Sequence, residues 1–209
     1  MPDPAAACPD AQKKHLIASE QDPVARAAWQ AAIQEVAADQ LVFVDESGAK
    51  ITLSPRYGRA PRGQRCVGRV PRNWGQNTTL MAAMTLEGMQ TAAVIEGAMD
   101  RPVFECFVQQ FLLPTLRPGQ TVVWDNLSVH KSQRARALIE AMGCDVVFLP
   151  AYSPDFNPIE QAFSKLKAHL RRIGARTYDD LIEAIGDVCD LFEPEQCRNF
   201  LKAAGYASD

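Results

Sequence analysis

Two short apolar runs in this chain each lead into an acid. Leu41-Val42-Phe43-Val44 precedes Asp45, and Thr121-Val122-Val123-Trp124 precedes Asp125. Runs of this length, rich in β-branched and aromatic residues, read as buried strands. A buried strand that ends on a carboxylate needs a partner for it, because an unpaired buried charge is costly. A third acid, Glu160, opens a helical segment after Asn157-Pro158-Ile159. Three carboxylates from three separate elements point to a bound divalent cation. They restrict the fold to one that gathers two strand ends and one helix start.

The rest of the pattern supplies such a fold. A helix is expected over 22–38, with Pro23 in its first turn and Val24, Ala27, Ala28, Ala31, Ile33 and Val36 on its apolar side. It reads as preceding the domain rather than joining its core. Strands are expected at 41–45, 78–85, 90–95, 121–124 and 145–149, the second and third forming a hairpin around 86–89. Residues 51–71 are rich in Gly, Pro and Arg and read as an extended insertion or hairpin. Helices are expected at 101–116, 132–142 and 158–173, the last two ended by Gly143 and Gly174. The first carries Phe104, Phe107, Val108, Phe111 and Leu112 on its buried side. The last carries Ile159, Phe163, Leu166, Leu170 and Ile173. Two further helices, 177–192 and 195–204, close the chain. The order predicts an α/β fold with a mixed five-stranded sheet and flanking helices. Its divisions are a linker over 1–39, a catalytic domain over 40–176 with a basic insertion at about 49–75, and a helical extension over 177–209.

Charge is distributed unevenly. The chain has 209 residues, a net charge of -3 and an ordinary charged fraction of 22%. Yet Lys50, Arg56, Arg59, Arg62, Arg65, Arg69 and Arg72 fall in one stretch without an acid, and Lys165, Lys167, Arg171, Arg172 and Arg176 in another. Cations spaced along Gly- and Pro-rich chain cannot bury themselves, but they can follow a phosphate backbone. Their plainer reading is solvated loop and helix surface. Trp74 reads as a base-stacking ring or an anchor for this arm. The acid-rich C-terminal segment would repel DNA and is expected on the far side of the sheet. The cysteines form no CxxC pair or zinc-like cluster, so they read as thiols of a reducing cytosol. No stretch approaches the roughly 20 apolar residues of a membrane span, and 1–10 lack the regions of a signal peptide.

Hard carboxylate oxygens suit Mg²⁺, and a pair of such ions can activate an oxygen nucleophile and stabilise a leaving oxygen. Each acid also has a plainer reading. Asp45 can cap the turn before Ser47-Gly48, Asp125 can open a loop, and Glu160 can complete a capping box with Asn157. Glu46, Asn126 and His130 stand beside the acids and read either as groups that orient a ligand or as turn and surface residues. His15 and His169 read as surface residues.

Four segments carry a resemblance: Val44-Asp45-Glu46-Ser47-Gly48; Ala60-Pro61-Arg62-Gly63-Gln64-Arg65; Trp124-Asp125-Asn126-Leu127-Ser128-Val129-His130; and the run from Leu149 through Tyr152-Ser153-Pro154-Asp155-Phe156-Asn157-Pro158 to Glu160. The chain resembles the DDE transposases of the mariner-like superfamily, in their bacterial insertion-sequence-630 branch. The 34 residues between Asp125 and Glu160 match that superfamily's spacing. The resemblance implies a ribonuclease H-like domain in which Asp45, Asp125 and Glu160 are catalytic and bind two Mg²⁺ ions, with Mn²⁺ as substitute. It implies cleavage of double-stranded DNA at element ends and transfer of the freed 3′-hydroxyl, usually to TA targets. It also implies a homodimer, an insertion that reaches the partner subunit, and a cytoplasmic, nucleoid-associated location. The family reads its terminal repeats with helix-turn-helix modules upstream, and about 40 residues before Asp45 leave no room for them. A truncated copy, or a reading frame joined to an upstream helix-turn-helix polypeptide, is expected. Ala151 stands where a second proline is common. Two rivals remain: a ribonuclease H-like nuclease without transfer, and a silent DNA-binding remnant that regulates a full-length transposase.

Overall fold

The computed structural model describes residues 18–73, 75 and 77–207. His15 and Trp74, singled out in the sequence, lie outside them. Five strands form one sheet: β1 (Leu41–Ala49), β2 (Thr78–Thr85), β3 (Gly88–Glu96), β4 (Thr121–Trp124) and β5 (Asp145–Phe148), in the order β3-β2-β1-β4-β5. β1, β2 and β3 form an antiparallel meander, and β4 and β5 add in parallel beside β1. The mixed sheet expected from the sequence is therefore present.

Among the described residues six α-helices flank it: α1 (Pro23–Ile33), α2 (Arg101–Phe107), α3 (Gln133–Ala141), α4 (Pro158–Ile173), α5 (Tyr178–Cys189) and α6 (Pro194–Ala203). The sheet separates two cores. Phe43, Leu80, Met84 and Val123 meet α1, α4, α5 and α6 on one face. Val42, Val44, Met81 and Trp124 meet α2 and α3 on the other. The period-2 alternation along β1 produces this division.

Several elements differ from the sequence reading. β1 continues four residues past Asp45, because Glu46 to Ala49 pair with β2. Residues 50–77 contain no strand among those described, so the basic insertion is an irregular exposed loop and not a hairpin. α2 passes into a π turn at Val108–Leu112 and a 3₁₀ turn at Leu113–Thr115. Pro114 has no N–H to continue an α-helical ladder, and the change of pitch leaves Phe111 41% exposed instead of buried. Ile173, at the end of α4, is also exposed.

α1 is shorter than expected and docks on the core. Asp22 caps it by accepting from the Val24 and Ala25 amides. Ile33 enters the core beneath the sheet, and Trp29 packs against it. α5 and α6 lie on the same face as α4, not on the far side, because Leu181, Ile185, Val188 and Leu201 complete that core. α4 ends at Gly174, whose φ of 69° is left-handed and suits glycine at a helix terminus.

Phe163 is buried in α4 and Ile173 is 51% exposed on the same helix. Phe163→Ala should cost about 3–5 kcal/mol. Ile173→Ala should stay within about 0.5 kcal/mol. Urea denaturation of both variants checks the difference.

Candidate active site

Strand register sets the site. β1 and β4 pair in parallel, with Leu41 beside Thr121 and Phe43 beside Val123. Continuing that register by two residues brings Asp45 level with Asp125, just where β4 ends. Residues two apart share a face, so both acids follow Phe43 and Val123 onto the α4 side. α4 starts there and carries Glu160 in its first turn. Asp45, Asp125 and Glu160 line one open cleft of about 390 Å³, with Asn126, Asn157, Lys131 and Tyr152 among its other walls. The structure thus brings the three predicted acids together.

Their surroundings differ. Asp45 is 7% exposed. Its Oδ1 accepts from the Glu46 amide at 2.7 Å and its Oδ2 from Asn157 Nδ2 at 2.8 Å. Burial, and then the negative charges of Glu160, Glu46 and Asp125, push its carboxyl up to about 8, although the Glu46 amide works against them. Asp125 is half-exposed and accepts from the Leu127 amide at 3.1 Å and from His130 Nδ1. Glu160 is exposed at the rim.

His130 is fully buried between Phe104 and Trp124. Its Nε2 lies 2.9 Å from Glu46 Oε2 while its Nδ1 holds Asp125. Glu46 follows Asp45 on the strand and so faces the other core, where His130 sits. Burial alone would lower the imidazole; the bonds to Asp125 and then Glu46 overcome it and raise it to about 9. Glu46 and His130 thus join the acid cluster, whereas Asn126 is exposed and only lines the cleft.

Asn157 was legible only as a helix cap. In the structure its side chain makes no capping bond; it reaches across to Asp45 instead. The capping-box alternative for Glu160 therefore lacks its partner. The turn before Asn157 is held from both ends of the described chain. Trp29 of α1 stacks on Phe156 at 5.5 Å, Arg26 pairs with Asp155, and Tyr206 Oη donates to the Phe156 carbonyl at 2.5 Å. These contacts join residues 50 to 129 positions apart, and no local pattern announces them. Tyr152, in the same stretch, has a φ of 56°. That conformation costs a bulky residue about 1–2 kcal/mol.

The two basic stretches converge in part. Arg56 from the loop after β1 and Lys167, Arg171 and Arg172 from α4 line a shared open groove of about 660 Å³ with Tyr57. Arg176 secures the base of the loop by donating to the Ile51 and Leu53 carbonyls. Arg59, Arg62, Arg65, Arg69 and Arg72 are exposed along the loop but do not line the groove, and Lys50 is half-buried at its start. Lys165 does not belong with them. Its Nζ donates to Gln196 and sits 4.8 Å from the Phe192 ring, facing the start of α6, where Glu193 and Glu195 line the same pocket. His169 contacts Arg172 at 3.0 Å. Cys66, Cys106, Cys144, Cys189 and Cys197 are free thiols.

A mixed sheet with acids at adjacent strand positions and at a helix start defines a ribonuclease H-like catalytic fold. The chain belongs to the DDE superfamily endonucleases, whose family profile matches residues 40–182. It is 25% identical over 127 residues to the transposable element Tcb2 transposase of Caenorhabditis briggsae, covering 54% of this chain and 46% of that protein. The chain therefore spans about half the length of the curated relative it matches. Its fold is similar to the Mos1 strand transfer complex, with a TM-score of 0.72, 15% identity and coverage of 93% of this chain and 61% of that one. It is also similar to the mariner Mos1 paired end complex with Mg, with a TM-score of 0.68, 17% identity and coverage of 94% and 65%. Among the described residues no helix is long and apolar enough to cross a membrane.

Asp45 and His130 both hold a proton more tightly when folded than when unfolded. Stability from them is present at low pH and lost as pH rises, between 3.8 and about 8 for Asp45 and between 6.5 and about 9 for His130. In chelator, the urea midpoint should fall from pH 6 to pH 9. Asp45→Asn, which removes the buried charge, should flatten that fall.

Proposed function

We propose that this chain is the catalytic part of a mariner-like transposase of the bacterial insertion-sequence-630 branch. It cleaves DNA strands at element ends and transfers the freed 3′-hydroxyl to target DNA, at TA dinucleotides. The observation that carries the proposal is the single cleft lined by Asp45, Asp125 and Glu160, from β1, β4 and α4.

These side chains fit a pair of Mg²⁺ ions, or Mn²⁺, by donor chemistry: carboxylate oxygens are hard ligands. Burial first, and then the charges of Glu160, Glu46 and Asp125, raise the Asp45 carboxyl, and a cation would relieve the part due to those charges. Asn157 Oδ1 is a buried acceptor without a hydrogen bond beside Asp45. Among the described residues no three His, Cys, Asp or Glu side chains close into a ready cage. Like charges repel, and here Asp45 leans on Asn157 while Asp125 leans on His130. When bound, the ions supply an activated oxygen nucleophile and a stabilised leaving oxygen.

The chain's own residues do the positioning. His130 sets the rotation of Asp125 and couples it to Glu46. Asn157 orients Asp45. Arg56, Lys167, Arg171 and Arg172 form one basic wall for a phosphate backbone, with Lys50, Arg59, Arg62, Arg65, Arg69 and Arg72 extending it along the loop. Joining two element ends calls for a homodimer. Reading the end sequences falls to helix-turn-helix modules of the same element, supplied upstream. The site of action is the bacterial nucleoid.

Strand transfer into supercoiled plasmid tests the reading, with a pre-cut donor bearing the element's terminal sequence and a free 3′-hydroxyl. Wild type should join donor to plasmid in Mg²⁺ or Mn²⁺; Asp125→Asn should bind DNA and join none. Metal-dependent nicking without joined products would identify a nuclease instead. In DNA-binding titrations, Lys167→Ala and Arg171→Ala should each lower the salt slope by about 1. Lys165→Ala should leave it unchanged.

A further inference from the structure

Tyr152 is the one non-glycine residue with a positive φ among the described residues, at 56°. Its packing offers no compensation, because the residue is 56% exposed and joins neither core. The conformation is imposed by its surroundings. Gln21 Nε2 donates to the Tyr152 carbonyl at 2.8 Å, Ser153 beside it is buried, and Phe156 is stacked beneath Trp29. A strained backbone that presents an uncovered ring, and is held there by three neighbours, marks a functional position.

Tyr152 lines the carboxylate cleft. Leu127, from the loop after β4, lines the same cleft and is 47% exposed. Lys131 lines it as well. The acids and the lysine suit phosphate and metal chemistry. The two uncovered apolar side chains do not, and paired duplex DNA, with its bases stacked inside, offers them nothing. A base taken out of the stack does offer them a face.

We infer that Tyr152, together with Leu127, receives an unstacked base of the strand whose phosphate lies at the carboxylates, so that the site acts on locally opened DNA. This rests on the reading of the cleft as a DNA-cleaving site. The cleft then joins two functions: acids that engage the phosphate, and an aromatic platform that keeps the adjoining nucleotide open.

The test compares cleavage of two duplexes bearing the element's terminal sequence, one fully paired and one mismatched beside the cleaved phosphate. Tyr152→Asn removes the ring but tolerates the left-handed backbone. It should melt no lower than wild type and cut the paired duplex about tenfold or more slowly, as expected for one lost base stack. On the opened duplex it should come within about threefold of wild type, since stacking no longer has to be broken. Tyr152→Phe should behave as wild type. Leu127→Ala should show the same paired-duplex defect and the same rescue, and it decides the matter if Tyr152→Asn does not fold. Wild-type cutting of the paired duplex by both variants overturns the inference. So does equal slowing on both duplexes, which would assign Tyr152 to loop geometry alone. If wild type cuts neither duplex, or Asp125→Asn cuts as well as wild type, the reading of the cleft itself fails and this inference falls with it.

Discussion

The parallel register between β1 and β4 is the constraint on which the rest of the site depends. It sets Asp45 level with Asp125 and turns both toward the face that α4 covers. Carboxylates crowded in this way repel, and burial makes the repulsion harder to screen. The surrounding structure answers that cost locally. Asn157 donates to Asp45, and His130 contacts Asp125 and Glu46 together. The elevated carboxyl of Asp45 is the residual cost, set first by burial and then by the neighbouring charges.

The two cores divide the labour of holding the site. The α4 side supplies Asn157 and Glu160, and its geometry is fastened by Trp29 and Arg26 from α1 and by Tyr206 after α6. The α2 side supplies His130, packed between Phe104 and Trp124. Because β1 alternates, adjacent Asp45 and Glu46 belong to opposite faces, and the imidazole of His130, from the loop after β4, links Glu46 to Asp125. The basic groove lies farther along α4, where Arg56 meets Lys167, Arg171 and Arg172. Acid and base are thus segregated along one helix, from its first turn to its last.

Much of this was legible in order along the chain. Apolar runs located the strands, Gly143 and Gly174 the helix ends, and the carboxylates the candidate site. Errors arose where a neighbour in space overrides local pattern. β1 outruns its apolar segment because β2 is there to pair with it. Phe111 turns outward because Pro114 forces a change of helix pitch. Lys165 carries the same charge as Lys167, but at its position on α4 it faces α6 and is taken up by Gln196.

The sequence by itself determined where most strands and helices lie and which acids accompany them, because periodicity and side-chain chemistry are local properties. Only the tertiary structure decided which of those side chains meet. That Asn157 serves Asp45 instead of capping its helix, that the two basic stretches share a groove without Lys165, and that Tyr152 is strained toward the cleft all depend on contacts across the chain. Such contacts arise from register and packing between elements, and the spacing of residues along one element carries no record of them.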